Sequence, residues 1–256
     1  MKFDPEDGSI SKESPTPEPE KQVIKVLDKG FVRLEETMGS DLSIVNAAKV
    51  SFDKRADSFG TAEHGVLNFL MKANHGSPFE QGIMRFHIKA PKFVVAEHQR
   101  HRISSWNEVS GRYVDFGKRD FYIPDHLRVQ KGKPGRYYFE RMDDDATHQE
   151  FVKWLAFMSE QFKANYAYFA DLDVAKEMCR MPIPFNFYTE YIYTANLRSL
   201  MNFLTLRLSP TAMFEIRQYA KVIAQFFAQK FPASWEAFKK YSLKDVMDKK
   251  EFEELL

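Results

Sequence analysis

Strand patterns fill the first half of this chain, and helix patterns dominate the second half. The segment MRFHIKA alternates apolar and polar residues, so that Met84, Phe86 and Ile88 share one face, and this period of two predicts a β-strand. VIKVL and FVRLEE flank the sequence DKG and predict a hairpin in which Gly30 supplies the turn. Because strands and helices do not alternate regularly, we predict an α+β fold with a central, mostly antiparallel sheet packed with helices and a helix-rich second half.

Capping residues and helical periodicity predict the other elements. Asp41 is predicted to cap a short helix that runs toward Val50, and Thr61 a second helix through Met71. Pro91 suits the first turn of a helix that ends at about His101. Further helices are predicted over residues 134–170, 196–208, 212–231 and 233–254, and extended structure is predicted for RYVDF (112–116) and for the end of PIPFNFYTEYIYT (182–194).

Composition divides the chain into a tail and one domain. Residues 1–21 are rich in Pro, Ser and charge, so burial cannot offset the entropy lost on ordering, and we predict a disordered N-terminal tail. Residues 22–256 are predicted to form a single domain, since 24 Phe and 11 Tyr can fill a sizeable core.

Charge and cysteine content narrow the classes of function. The 37 basic and 36 acidic residues give a net charge of +1, which argues against binding to long nucleic acid but not against a small anionic ligand. The single cysteine, Cys179, excludes an internal disulfide and fits a reducing, cytoplasmic setting. We expect no membrane association, because no apolar stretch approaches the ~20 residues that span a bilayer and the N-terminus lacks a signal-peptide pattern.

The stretch RHRISSWNEVSGRY (100–113) concentrates the residues suited to chemistry. Glu97, Arg100 and His101 are spaced i, i+3 and i+4, which predicts neighbouring positions on one helix face, and Arg102 adds a second guanidinium. Clustered guanidiniums bind phosphate or carboxylate well. Taken alone, the RHR tripeptide is more typical of a solvated basic patch.

The second half of this stretch predicts a polar edge. If it is extended, Glu108, Ser110 and Arg112 point to one side, and Gly111 lets a ligand approach the backbone. That combination suits a phosphorylated small molecule. The alternative is that Glu108 and Arg112 form a surface salt bridge of little energetic value.

The segment NLRSLMNFLTLR (196–207) is a second candidate. Asn196 can cap a helix on which Arg198 and Asn202 share a face beside an apolar stripe, an arrangement that suits a heteroaromatic ring. An ordinary amphipathic helix gives the same pattern. Arg180 and Arg207 stand outside these groups, and each is also compatible with a role at a helix C-terminus.

Together these segments resemble the flavin-dependent thymidylate synthases. The family signature is RHR, seven residues and Ser, and here it reads RHR, ISSWNEV and Ser110. KVLDKGFVRLEETMGSDLSIVNAAKVSFD, HGSPFE, FHIKAPKFVV, PFNFYT and NLRSLMNFLTLR are similar to family segments in the same order, over about residues 22–241. The resemblance implies reductive methylation of dUMP to dTMP with methylenetetrahydrofolate as carbon donor and NADPH as reductant through FAD. It also implies a homotetramer with active sites shared between subunits.

The resemblance implies roles for individual residues. The implied FAD contacts are His75, Ser77, Arg100, His101, Arg102, Asn196, Arg198 and Asn202. The implied dUMP contacts are Glu97, Arg100, Glu108, Ser110, Gly111, Arg112, Arg180 and Arg207, of which Arg207 is the catalytic residue that activates the uracil. No metal is implied. The chain departs from the family at Glu97, where many members have Gln, and at Gln81 and Thr211, where members often or sometimes have His.

Three other functions fit parts of the sequence less well. A thiolate mechanism would need Cys179, which lacks the Pro-Cys-His setting of the other thymidylate synthases and is more typical of a small buried hydrophobe. A metal site built from His75, His98 and His101 matches no familiar ligand spacing. A nucleic-acid-binding module could use the RHR cluster, but the neutral net charge argues against it.

Overall fold

A five-stranded antiparallel sheet forms the centre of the fold in the computed structural model, which describes residues 2–3, 10–11, 22–134, 136–244 and 246. The strands of the chain are β1 (Lys2–Phe3), β2 (Ile10–Ser11), β3 (Val23–Val26), β4 (Gly30–Met38), β5 (Ile83–Pro91), β6 (Ser105–Glu108), β7 (Arg128–Lys133), β8 (Arg136–Arg141) and β9 (Tyr188–Asn196). The central sheet has the order β3-β4-β5-β9-β6, while β1 with β2 and β7 with β8 form separate two-stranded ladders. The predicted α+β class with an antiparallel sheet is confirmed.

Helices pack on the apolar face of this sheet, on one another and around a second core. They are α1 (Asp41–Lys49), α2 (Thr61–Lys72), α3 (Lys92–His98), α4 (Asp145–Asp171), α5 (Lys176–Cys179), α6 (Leu197–Arg207), α7 (Phe214–Lys230) and α8 (Pro232–Phe238). Met84, Phe86 and Ile88 of β5 are fully buried, as the alternating pattern predicts, and Phe86 packs on Phe226 of α7 with ring centroids 6.1 Å apart. The buried face of the sheet thus fixes β5 and β9, and with them the start of α3 and of α6.

A second, smaller core lies beside the main one. Phe116, Phe121, Phe162, Tyr166, Cys179 and Phe187 pack together between α4, α5 and the end of the loop before β9. This core holds the segment that follows the RHR stretch against the rest of the protein.

The predicted hairpin forms between β3 and β4, but glycine does not supply the left-handed conformation of its turn. Leu27 adopts the left-handed conformation, with φ of 58°, and Gly30 is already the first residue of β4. An added Cβ at Gly30 would lie 2.1 Å from the Tyr219 hydroxyl oxygen, so this position requires glycine for space.

Two predicted helix caps are wrong by one residue. Ser40, not Asp41, caps α1, and Gly60, not Thr61, is the capping position of α2. The carboxylate of Asp41 is buried and instead accepts hydrogen bonds from the Ala233 and Ser234 amides, each at 2.9 Å. Asp41 thus caps a helix that is distant in the sequence, and no local sequence pattern predicts such a contact.

The region between Pro91 and Phe116 also differs from prediction. Pro91 ends β5 and precedes α3, and α3 stops at His98 rather than near His101. Residues 112–116 are not extended, because the amides of Tyr113 and Val114 both bond to the Ser110 carbonyl at 3.1 Å and close a turn. The extended piece is β6, which ends at Glu108.

The predicted helix over residues 134–170 starts too early. Instead, β7 pairs antiparallel with β8, whose aromatic sequence RYYFER favours a strand, and α4 begins at Asp145 with Asp144 as its cap. The last predicted helix corresponds to α8, which ends at Phe238 and is followed by a π-helical turn over Lys239–Leu243. Residues 247–256 of the predicted helix and C-terminus lie outside the described residues.

The N-terminal tail stays a prediction. Of residues 1–21, only Lys2–Phe3 and Ile10–Ser11 are described, and their backbones pair antiparallel. Within the described part of the chain, no helix combines the length and apolarity needed to cross a bilayer.

Candidate active site

Arg207, the last residue of α6, is held against the end of α3. Its Nη1 donates to Glu97 Oε2 at 2.8 Å, its Nη2 donates to the Glu97 carbonyl oxygen at 3.2 Å, and its Nε donates to His101 Nε2 at 3.1 Å. The side chain is 15% exposed, so the guanidinium lies at the edge of the protein surface. These bonds use three of its five N–H groups and leave two for a ligand.

His101 is a neutral acceptor in this cluster. Burial, with the Arg207 charge acting in the same direction, lowers the pKa of His101 to about 4. At neutral pH the imidazole is therefore uncharged, and because Nε2 accepts from Arg207, its proton lies on Nδ1.

His98 supports the cluster from beneath. Its Nδ1 lies 3.0 Å from the Tyr191 hydroxyl, and its ring packs against Trp106, Tyr193 and Phe203 with centroids 4.4–4.7 Å apart. Burial holds the pKa of His98 well below its ordinary value, so this side chain is also neutral. This cluster of packed aromatic rings keeps the RHR stretch in place.

Residues predicted to contact a flavin line a second site. His75, Arg198 and Asn202 surround a cavity of about 230 Å³. At Gly76 an added Cβ would lie 2.7 Å from Arg198 Nε, so the absence of a side chain there allows the guanidinium to cross the loop. Arg198 is anchored by Glu80 at 2.6 Å.

A larger cavity adjoins this one through His75. It measures about 980 Å³, lies between α1 and α2, and includes Phe52, Phe69, His75 and Ser77 in its lining. Its size and its largely apolar, partly aromatic lining fit a planar ring system with a polar edge, such as a flavin.

Asn196 is the N-cap of α6 and accepts from the Ser199 amide at 2.9 Å, so the capping prediction is confirmed.

Glu108 is held by two residues that the sequence analysis missed. Lys92 Nζ lies 2.7 Å from both carboxylate oxygens, and Thr189 Oγ1 donates to Oε1 at 2.9 Å. Lysine directly after Pro91 is the only hint that the sequence offers, because Thr189 belongs to a strand paired across the sheet.

The residues after Glu108 do not align along one edge. Ser110 opens the tight turn described above, and Arg112 pairs with Glu177 at 3.0 Å instead of Glu108. At Gly111 an added Cβ would lie 2.7 Å from Arg180 Cδ, so glycine lets Arg180 pack against the backbone. The prediction of a straight polar edge is wrong, although the turn still groups Gly111, Arg112 and Arg180.

The remaining RHR residues face outward. Arg100 lies 3.4 Å from Glu97 Oε1 and is 71% exposed, and Arg102 is also exposed. Both guanidiniums are largely open to solvent, where an anion or another copy of the chain can reach them.

Comparison with known proteins identifies the family to which the chain belongs. The family model described as "Thymidylate synthase complementing protein" matches residues 33–233. The flavin-dependent thymidylate synthase of Kosmotoga olearia is 41% identical over 215 residues, covering 84% of this chain and 92% of the relative. The chain belongs to the flavin-dependent thymidylate synthase family. The Thermosipho africanus enzyme of the same name is 40% identical over 86% of this chain and 95% of its own.

Solved structures agree with this family. The UMP/dUMP methylase PolB from Streptomyces cacaoi, bound with 5-Br dUMP, superposes with a TM-score of 0.76 and 35% identity, covering 86% of this chain and 98% of that chain. This flavin-dependent thymidylate synthase is accordingly an enzyme, a methyltransferase that requires a flavin.

Proposed function

We propose that this enzyme methylates dUMP to dTMP, with methylenetetrahydrofolate as carbon donor and NADPH as the reductant of a bound FAD. The observation that carries the proposal is the position of the Arg207 guanidinium. Glu97 and His101 hold it in place, and two of its N–H groups stay available for a ligand. A fixed cation of this kind suits a uracil ring. The Streptomyces methylase, which binds 5-Br dUMP, has the same fold and supports the choice of nucleotide.

The flavin site in this proposal combines two parts of the chain. His75, Ser77, Arg198 and Asn202 line the cavities that fit the ring system. Asn196 and the basic residues Arg100, His101 and Arg102 are proposed to complete the cofactor site. A bound FAD supplies the redox chemistry, so the protein itself needs no nucleophilic side chain.

The nucleotide site is proposed to use the cations and the carboxylate that follow α3. Its proposed ligand contacts are Arg100, Glu108, Ser110, Gly111, Arg112, Arg180 and Arg207, and Glu97, within α3, belongs to the site through its bonds to Arg207. Arg112 and Arg180, which the turn at Gly111 groups, suit a phosphate because a guanidinium binds two of its oxygens at once.

Arg207 is proposed to act on the uracil. When C6 of the ring accepts a hydride, negative charge develops on the ring carbonyl oxygens and N3. A guanidinium already oriented toward that position stabilises the transition state without reorganisation, and it stays protonated at any working pH.

Two of the site arginines point to opposite sides of α6. Arg198 and Arg207 are nine residues apart, about two and a half helical turns. Accordingly, Arg198 lines the cavity beside His75, while Arg207 contacts Glu97 and His101. An active site that used both arginines at close range would draw them from different copies of the chain, which is the arrangement proposed for shared active sites in a homotetramer.

The proposed function predicts a spectral response. Purified protein should show flavin absorbance, or acquire it when FAD is added, and dUMP should perturb that spectrum. Thymidylate should form only when methylenetetrahydrofolate and NADPH are both present. Protein that ignores FAD at tens of micromolar, or turns over without a reductant, would contradict the proposal.

Cys179 provides a test against the thiolate mechanism. Its thiol is buried and donates to the Val174 carbonyl at 3.3 Å, within the second core. Cys179→Ala should retain thymidylate formation and lose about 1 kcal/mol of stability through a small cavity. Complete loss of turnover in a variant with an unchanged unfolding midpoint would instead favour the thiolate route.

A further inference from the structure

Glu97 bridges two arginines with separate carboxylate oxygens. Oε2 accepts from Arg207 Nη1 at 2.8 Å, and Oε1 lies 3.4 Å from Arg100 Nη2. The backbone carbonyl of the same residue accepts from Arg207 Nη2 at 3.2 Å. Glu97 therefore provides two of the three acceptors that bind the Arg207 guanidinium.

We propose that Glu97 is a positioning residue, not a ligand contact: its carboxylate fixes Arg207 in its working orientation and, by its negative charge, weakens the hold of this site on an anionic nucleotide. The inference rests on the proposed function. It assigns Glu97 a role toward Arg207 instead of toward the substrate.

The place of Arg207 in the fold explains why it needs an external anchor. Arg207 is the last residue of α6, and the described chain leaves the helix directly after it. A long side chain at a helix end has many rotamers, and fixing one of them before the ligand arrives removes that entropy cost from the reaction. His101 supplies one neutral acceptor, and Glu97 supplies the others.

The charge of Glu97 has the opposite effect on binding. A carboxylate in contact with Arg207 and near Arg100 partly offsets both cations, so a phosphorylated ligand meets a weaker positive field. An amide at the same position would keep the acceptor oxygen for Arg207 Nη1 but remove the charge. The two contributions can therefore be separated by two substitutions.

The experiment compares steady-state kinetics of Glu97→Ala and Glu97→Gln with saturating flavin and co-substrates. Glu97→Ala should lower kcat about tenfold, because a charge-assisted hydrogen bond on Arg207 is lost. Glu97→Gln should recover kcat to within about threefold of wild type and lower the KM for dUMP by about threefold, since it restores the bond without the charge. A residue with a merely structural role would not produce this split between kcat and KM.

Glu36→Ala is the matched control. Glu36 pairs with Arg85 at 2.8 Å, the same separation as Glu97 and Arg207, but the pair is more exposed and neither residue belongs to the proposed site. Its kcat and KM should equal those of wild type, which shows that loss of an Arg–Glu pair is not itself harmful.

Several outcomes would overturn the inference. They are a kcat of Glu97→Ala within twofold of wild type, a Glu97→Gln variant as slow as Glu97→Ala, or an unchanged or higher KM for dUMP in Glu97→Gln. If Glu97→Ala does not fold, the isosteric Glu97→Gln decides through its KM. Wild-type protein that makes no thymidylate would defeat the proposed function, whereas an active wild type with an indifferent Glu97 would defeat this inference alone.

Discussion

Arg207→Ala should lower kcat for thymidylate formation by about 10²–10³-fold, the usual effect of removing one preorganised group that stabilises developing charge. The guanidinium is held by three hydrogen bonds to Glu97 and His101, so its orientation does not depend on the substrate. Flavin affinity should change little, because Arg207 points away from the cavity beside His75. The measurement is kcat at saturating flavin, together with a flavin titration.

Arg198→Ala is the matched control on the same helix. Arg198 lines the proposed flavin site on the opposite side of α6, so this variant should bind FAD about tenfold or more weakly, as expected for loss of a charged contact. At saturating flavin its kcat should exceed that of Arg207→Ala. The assigned roles would be wrong if Arg207→Ala lost flavin affinity while it turned over normally with saturating FAD.

Gly30→Ala should destabilise the protein by about 3 kcal/mol, the upper range for overpacking a well-filled core. The new Cβ would lie 2.1 Å from the Tyr219 hydroxyl oxygen and 2.7–2.8 Å from the carbonyl oxygens of Val26 and Lys89. Two of these three atoms are backbone within the sheet. The hydroxyl can move only by giving up its 2.8 Å bond to the Lys89 carbonyl. Urea unfolding of the ligand-free protein measures the effect.

Gly65→Ala is the control for the glycine substitution itself. Gly65 lies within α2, and an added Cβ would meet no atom within 4 Å. This variant should gain about 0.5–1 kcal/mol, because alanine loses less backbone entropy in a helix. Equal unfolding midpoints for the two variants would show that the close approach at Gly30 has been misjudged.

Local patterns in the sequence determined much of the fold. The alternation in MRFHIKA and in YTEYIYT identifies β5 and β9, since a period of two has one structural meaning when one face is buried. The hairpin around DKG and the cap at Asn196 are equally local. The family resemblance likewise comes from short motifs in a fixed order, and the family match confirms it.

Local patterns failed where two conformations share one composition. RYVDF has the residues of a strand, but bonds to the Ser110 carbonyl close it into a turn. The stretch before α4 contains helix-compatible residues, yet pairing between β7 and β8 makes it a hairpin. In both places the competing hydrogen bonds decide the outcome, and their partners cannot be read from periodicity.

The sequence by itself determined which residues are candidates for the chemistry, and the tertiary structure decided how they are held. Motifs name Arg207, Glu97 and Glu108, but the partners of Arg207 lie 106 and 110 residues away, and Thr189 reaches Glu108 across 81 residues. Such contacts form only when folding brings the ends of α3 and α6 to the same region of the fold. A sequence motif records residue types along one line, whereas the orientation of a guanidinium depends on the acceptors that folding brings to it from elsewhere in the chain.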